Sequence, residues 1–496
     1  MSTRRHLLVA LLPGLLSAAT GAPARGEVVW QTWTVALAEF EGDRPALDVR
    51  LDARGLPIPG TRLELRLDAH RVGALAGLGV EWEPTPGLLV FAGLDTGLVP
   101  IDPLTAPATT RTFADEARET WLIRSLGVEL FADDGRSWSI VAGKQRLTIG
   151  SGLLVDTVAL GADGIFEGEI FGLKMGAWWP GRRAIPDGWP VVRAEVEWRP
   201  DLFVRLRLFG AATRFDDEQG RRLVEPAVRS SLRRNARRLV EQLFGEDPPG
   251  AAGAQTIDLA AVANQLLRCV GFRAEVVPHW LGLEAEALLD GHTLRATAVL
   301  GGGRAETAPL VDAGCPRLAE LAERLVPPRR FDLAGGGVDV RWRARLVESL
   351  YVGAFAVGMS GQPAGQGLDR IERFEALLAP APLLDRPGLF FDGGLGADLG
   401  ERPAVAYGYD ARGVLGGGPT LLLVPHPALE VDLLGAPLWT ATAHDFYGFE
   451  LDASLRWQPL DALVVRARGA WLWPGVFFED GGPWYRLALS LEGNLP

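Results

Sequence analysis

The sequence predicts an all-β fold: a closed antiparallel transmembrane β-barrel of roughly 18 strands (about 16–22), with short helical insertions in the middle of the chain. Three observations lead to this fold class. Apolar and charged side chains alternate over three successive segments within 447–496. Aromatic residues lie at the ends of those segments. After residue 24, no apolar run reaches the roughly eighteen residues that a membrane-spanning helix needs.

The segment 447–457 shows the alternation most clearly. Its apolar side chains occupy every second position, and Glu450, Asp452 and Arg456 lie among the residues between them. This two-residue period gives one apolar and one charged face. The same pattern returns in 463–471 and 485–492. A lipid-facing barrel strand has this pattern, and so does a soluble antiparallel sheet with one buried face, so both alternatives stay open on the alternation alone.

Aromatic residues mark where these strands would meet lipid headgroups. Trp457 ends the first segment, Trp471 and Trp473 end the second, and Trp484 with Tyr485 opens the third. Trp and Tyr concentrate at both interfaces of membrane-spanning barrels. The placement therefore favours a barrel over a soluble sheet.

The amino-terminal segment 1–24 has the composition of a secretory signal peptide. Arg4 and Arg5 precede a short apolar run, and Ala22 and Ala24 suit a cleavage site. The run is too short to span a bilayer. We therefore expect export through a cleaved signal peptide, a single barrel over 25–496, and a location in the bacterial outer membrane, in contact with its lipid.

Turn motifs indicate a consistent sidedness of the strands. Trp82-Glu-Pro84, Trp198-Arg-Pro200 and Trp457-Gln-Pro459 each end one alternating run, and another run follows within a few residues. Proline removes a ladder donor and fixes a turn, while the preceding Trp suits the interface. Short turns belong to the periplasmic end of such barrels. The three motifs are therefore predicted to lie at one end.

The middle of the chain departs from the two-residue period. Apolar residues in 226–244 recur at helical spacing opposite several arginines, and Pro316 suits the first turn of a helix. These patterns predict helical insertions near 214–269 and 303–333. They would either fold into the lumen as a plug or constriction, or form structured loops outside it.

Arginines recur on the charged faces of the alternating strands. If the apolar faces meet lipid, the two-residue period directs these arginines into the lumen, where guanidinium groups suit carboxylates, sulfates and phosphates. Acidic residues on the same faces, such as Glu195, Glu197 and Asp339, would pair with many of them and brace the wall instead. Both interpretations stay open. The candidate substrate-binding residues are Arg205, Arg207, Arg341, Arg343, Arg345, Arg466 and Arg468.

Composition and motifs argue against several classes of function. A formal net charge of -12 leaves no basic surface for nucleic acid. The chain contains no nucleophile-elbow, zinc-protease or P-loop motif, so we expect no enzyme, although a site assembled from distant strands is the alternative. Cys269 and Cys315 lie in no metal or haem motif, so no cofactor or metal is expected, and whether the two cysteines pair stays open.

Three motifs resemble the bacterial outer-membrane porins of the alginate-export type. Gly448-Phe-Glu-Leu-Asp452 is similar to the closing Gly-x-Glu-Leu-Asp strand of those porins, and Gly469-Ala-Trp-Leu-Trp-Pro-Gly475 is similar to their aromatic-Pro-Gly strand end. The stretch Gly143-Lys-Gln-Arg-Leu-Thr-Ile-Gly150 looks like their Gly-Arg-Gln strand, with Lys144 in place of Arg. The resemblance implies an outer-membrane channel of roughly eighteen strands.

These observations together predict a porin or export pore. It would let small anionic or saccharide solutes pass by diffusion through a charged lumen. The alternative is a structural barrel that sheathes a periplasmic or secreted protein partner, such as an exported cytochrome or a secretion component.

Overall fold

The computed structural model describes residues 28–42, 69–95, 99–100, 122–132, 137–150, 153–180, 190–215, 270–311, 329–361, 370–371, 412–478 and 483–495. The signal-peptide segment 1–24 and both cysteines, Cys269 and Cys315, lie outside these residues. Within the described part of the chain, no helix is long and apolar enough to cross a bilayer.

Eighteen strands form one continuous sheet, and we number them in chain order. They are β1 (Val28–Gly42), β2 (Ala69–Thr85), β3 (Leu88–Asp95), β4 (Leu122–Phe131), β5 (Trp138–Ile149), β6 (Val155–Glu167), β7 (Phe171–Pro180), β8 (Val191–Trp198), β9 (Val204–Ala212), β10 (Val270–Leu289), β11 (His292–Val311), β12 (Arg329–Val347), β13 (Leu350–Met359), β14 (Val414–His426), β15 (Leu429–Trp439), β16 (Phe446–Leu460), β17 (Leu463–Pro474) and β18 (Trp484–Leu495). A 3-10 turn spans Val476–Phe478.

The sheet closes into a barrel because each strand pairs antiparallel with its neighbours in sequence and β1 pairs with β18. In that closing pair Thr32 lies opposite Leu495 and Gly42 lies opposite Tyr485. Two short pairings are additional: Val99–Pro100 joins β2, and Arg370–Ile371 runs parallel to part of β12. Closure removes every free sheet edge along the barrel wall. The predicted closed antiparallel barrel of roughly 18 strands is confirmed.

The two ends of the barrel differ in the length of their connections. At one end, which we call the hairpin end, the connections range from Pro86–Gly87 up to 132–137. At the other, the loop end, they reach 213–269 and 360–413. All three Trp-x-Pro motifs lie at the hairpin end, where β2, β8 and β16 finish. Their predicted common sidedness is confirmed.

The outer face of the barrel is apolar. On β8, Val192, Val196 and Trp198 are exposed, whereas Arg193, Glu195 and Glu197 between them are buried. A soluble sheet would reverse this arrangement, with the apolar residues buried. The alternation therefore serves a membrane-spanning barrel, with apolar residues toward lipid and charged residues toward the lumen.

Exposed aromatic side chains form two rings on the outer face. The ring at the hairpin end comprises Trp82, Trp138, Phe166, Phe171, Trp198, Trp342 and Trp457. The ring at the loop end comprises Trp179, Trp439, Phe449, Trp473 and Tyr485. Phe171 and Trp179 on β7 are eight residues apart, as are Phe449 and Trp457 on β16. Counted with both end residues, each segment has nine residues. A tilted strand that crosses a bilayer has roughly nine to eleven.

Trp484 and Tyr485 open the last strand, as predicted, and point to opposite faces of the barrel. Tyr485 faces outward, whereas Trp484 faces inward and only 1% of it is exposed. The two residues are neighbours on β18, and neighbouring side chains of a strand point to opposite faces. Tyr485 lies opposite Trp471 on the outer face, so Trp484 turns inward opposite Leu472.

The predicted helical insertions are wrong where the structure describes them. Residues 303–311 belong to β11 and 329–333 to β12, while Phe215 pairs with Val276 in a single bridge. The physical reason is visible in β11, where Arg304 and Glu306 are exposed and Ala305 and Thr307 are buried, a two-residue period. The rest of both predicted insertions, 216–269 and 312–328, lies outside the described residues.

Candidate functional site: the charged lumen

All seven arginines predicted to line the lumen belong to its inner face. Arg205 and Arg207 lie on β9, Arg341, Arg343 and Arg345 on β12, and Arg466 and Arg468 on β17. Each shares its strand face with inward neighbours rather than with the exposed apolar residues, as the pairing registers require. They cluster toward the hairpin end of their strands. The inward orientation follows from the two-residue period alone.

Arg207 bridges carboxylates on both neighbouring strands. It lies directly opposite Glu197 of β8 and Glu284 of β10. Its Nη2 group donates to Glu197 Oε2 at 2.9 Å and its Nη1 group to Glu284 Oε2 at 2.7 Å. Both carboxylates are buried, so the guanidinium offsets part of the cost of holding their charges in the wall, and Glu197 is also paired with Arg199 and Arg205. This arginine therefore braces the wall.

A second row of charges lies one step nearer the hairpin end. Arg205 Nε is 3.4 Å from Glu197 Oε1, and its Nη1 is 3.7 Å from Glu286 Oε2. Arg295 of β11 completes the row, with Nη2 at 2.7 Å from Glu286 Oε1. Such cross-strand pairs between arginines and acidic residues were predicted from the charged faces of the strands.

The three arginines of β12 differ in how far they are neutralised. Arg341 Nε lies 3.0 Å from Asp339 Oδ2 on its own strand. Arg343 reaches across β13 and β14 to Asp432 of β15, with Nη2 at 3.4 Å from Oδ2. Arg345 has no carboxylate partner among the described residues, and its side chain is exposed. It is thus the least neutralised arginine of this strand.

The wall of β16 to β18 carries the remaining candidates. Arg466 Nη2 lies 3.2 Å from Glu492 Oε2, and Arg468 lies opposite Ser454 and Ala488. Farther toward the loop end, Glu450, Asp452 and Arg486 face inward and are almost fully buried. The charge on this wall therefore continues from a partly exposed zone into a buried one.

The sequence patterns did not predict the buried charge cluster on β6 to β8. Arg193 donates from Nε to Asp163 Oδ1 at 3.0 Å and from Nη1 to Glu195 Oε1 at 3.2 Å, and it also contacts Asp163 through Nη2. Trp178 Nε1 donates to the same Oδ1 atom at 2.9 Å. Arg193 shares its face with the predicted inward residues Glu195 and Glu197, so the alternation of β8 could have found it.

The wall formed by β1 to β4 has a different chemistry. Trp33 faces inward over glycines, and a Cβ atom placed on Gly79 would lie 3.1 Å from its ring. Phe91 also faces inward, opposite Glu81 and Gly127. The described inward side chains of these strands include no cation. Since eight strands lie between β3 and β12 in either direction around the barrel, this aromatic wall lies across the lumen from the arginines of β12.

The described residues include no group of three His, Cys, Asp or Glu side chains placed to hold a metal ion. The carboxylates of the lumen instead face guanidinium groups, as at Glu197, Glu284 and Glu286. The arrangement can attract, orient and pass solutes by electrostatics and hydrogen bonding.

Comparison with known proteins gives likeness of shape without likeness of sequence. No family model matches the chain, and no curated protein is significantly similar to it. The similarity to alginate-export porins therefore stays a prediction.

Solved structures of Pseudomonas aeruginosa proteins align over nearly the whole chain. OccK9 (OpdG) covers 95% of this chain and 98% of its own, with 13% identity and a TM-score of 0.49. OpdL covers 95% and 99%, with 10% identity and a TM-score of 0.47. OpdK, solved with vanillate, covers 94% and 98%, with 11% identity and a TM-score of 0.46.

Proposed function

We propose that the protein is an outer-membrane channel through which small anionic solutes pass by diffusion. The observation that carries this proposal is a closed barrel of eighteen strands with an apolar outer face and a charged inner face. Strand number sets barrel width, and barrels of about 16–18 strands leave an aqueous passage where eight-stranded ones are filled by side chains. A wall that presents charge inward is suited to water and solutes rather than to a packed core.

The preference for anions rests on β12. Arg341, Arg343 and Arg345 recur at every second residue, so they follow one another along the strand at intervals of about 7 Å. The side chain of Arg345 is exposed. Arg343 is paired with Asp432 over 3.4 Å, a longer distance than the 3.0 Å between Arg341 and Asp339. A guanidinium group presents a planar fork of donors that matches a carboxylate, sulfate or phosphate. A solute anion can therefore compete for these donors along the strand.

Conductance across a planar bilayer tests the proposal. In a potassium chloride gradient, the reversal potential of the wild-type protein should show preference for chloride. Arg345→Gln should lower the anion-to-cation permeability ratio by about two- to five-fold, because one screened charge is removed from the passage. Arg330→Gln is the matched control: it lies on the same strand but faces outward, paired with Glu306 at 2.9 Å.

The outcomes separate the alternatives. Absence of any ion conductance would refute the channel and favour a barrel that sheathes a partner protein. A chloride preference that Arg345→Gln leaves unchanged would refute the role of β12. Liposome swelling with glucose and with glucuronate, which are of similar size, distinguishes a saccharide pathway from an anion pathway. Equal rates for the two solutes would contradict the anion preference.

A further inference from the structure

Two cations lie on the outer, lipid-facing side of β5. Trp138 and Ile140 are exposed on this face, whereas Leu147 and Ile149 are buried on the opposite one. Lys144 and Arg146 share the parity of Trp138 and so face outward. The pairing registers agree, because Lys144 lies directly opposite Leu126 on one side and Leu160 on the other, and both of these leucines are exposed.

The depth of these cations follows from the spacing of the two aromatic rings. Phe171 and Trp179 on the nearby β7 are eight residues apart, and β5 contributes Trp138 to the ring at the hairpin end. Eight residues beyond Trp138 is Arg146. Arg146 therefore occupies the level at which other strands place a loop-end aromatic residue, and Lys144 lies one outward position deeper.

The outer surface around Lys144 is apolar. Leu126 and Leu160 flank it in register, and the outward side chains of β7 beyond them are Phe171, Leu173, Met175, Ala177 and Trp179. Long basic side chains at the edge of the hydrocarbon extend toward the headgroup layer, where lipid phosphates supply negative charge. The charged atoms of Lys144 and Arg146 therefore reach the layer in which those phosphates lie.

We propose that Lys144 and Arg146 bind the phosphate of an anionic lipid headgroup at the loop end of β5. The guanidinium group of Arg146 can engage two phosphate oxygens, and the ammonium group of Lys144 adds a point charge from below. Trp179 is in register with Leu160 and Lys144, and its exposed ring offers an amphipathic surface at the same interface. This site lies outside the lumen and is independent of the proposed channel activity.

Lipid binding to the purified full-length protein tests the site. The protein in dodecyl maltoside is titrated with dioleoyl phosphatidylglycerol, and bound lipids are counted by native mass spectrometry. Lys144→Gln/Arg146→Gln should bind this lipid about ten- to thirty-fold more weakly, since two attractive charges are lost. Lys144→Arg/Arg146→Lys keeps both charges and should stay within about two-fold of wild type. Dioleoylglycerol, which lacks the phosphate, should bind all three proteins equally.

Each other result would overturn the proposal. Equal affinity of the wild-type and neutral variants for phosphatidylglycerol would exclude the site. Equal binding of phosphatidylglycerol and dioleoylglycerol by the wild type would show that phosphate is not recognised. Loss of a wild-type dimer in the neutral variant, with lipid binding unchanged, would show that a second copy supplies the anion. Heat-modifiable gel mobility verifies folding, and Arg146→Gln alone serves if the double variant does not fold.

Discussion

Replacement of Ala194 by arginine tests the central physical claim, that the exposed apolar face of the barrel lies in hydrocarbon. Ala194 faces outward on β8, directly opposite Met175 on one neighbouring strand and Gly210 on the other. It is four residues from Trp198 of the hairpin-end ring. Because the two rings are eight residues apart, Ala194 lies at the middle of the membrane-spanning segment.

The magnitude follows from that depth. An arginine on the lipid face of a barrel costs about 2–4 kcal/mol at the bilayer midplane and about 0–1 kcal/mol near the interfaces. The introduced guanidinium group would have to extend along half of the membrane-spanning segment to reach water. We therefore expect the full free-energy cost of an arginine at the midplane. The unfolding equilibrium constant should rise by about 30- to 1,000-fold. Steric strain adds little, because the neighbouring outward residues Val192 and Val196 are about half exposed.

The assay is reversible unfolding in guanidinium chloride, followed by Trp fluorescence with the protein in phosphatidylcholine vesicles. Val29→Arg is the matched control, since it introduces the same side chain on the inner face, opposite Glu81. We expect this control to change the free energy of unfolding by no more than about 0.5 kcal/mol. Equal costs for the two variants, or no cost for Ala194→Arg, would refute the assignment of the outer face to lipid.

Two further predictions concern the barrel wall and use the same unfolding assay. Trp178→Phe removes the indole donor to Asp163, 2.9 Å away in a buried cluster, and should cost about 1–3 kcal/mol; Trp179→Phe, on the exposed face, should cost about 0.5 kcal/mol or less. Equal effects would mean that the hydrogen bond contributes nothing. Gly303→Ala should cost about 1–3 kcal/mol, because Gly303 has a φ of 145° and a Cβ atom there would lie 2.9 Å from the Cα atom of Pro278. Gly164→Ala, whose nearest atom would be 4.0 Å away, should be neutral to within about 0.5 kcal/mol, and a neutral Gly303→Ala would contradict the strain.

The sequence by itself determined which face of each well-patterned strand a residue occupies. Side chains of a strand alternate with a period of two residues, so the alternation in 463–471 and 485–492 was enough to predict that Arg466 faces inward and Leu489 outward. The same local signal located the Trp-x-Pro turns at one end, because Pro limits the ladder and Trp suits the interface. It failed in 303–311, where a helical insertion was predicted but the chain continues as β11.

Only the tertiary structure decided which groups meet across strands. Arg343 reaches Asp432 over two intervening strands, and Arg207 contacts two carboxylates at once, while Arg345 has no carboxylate partner among the described residues. Likewise, the depth of the outward cations Lys144 and Arg146 in the membrane could be assigned only from the positions of the two aromatic rings in the folded barrel. A sequence period specifies a face, but register and closure are set by hydrogen bonds between segments far apart in the chain, and these long-range pairings place one charge beside another.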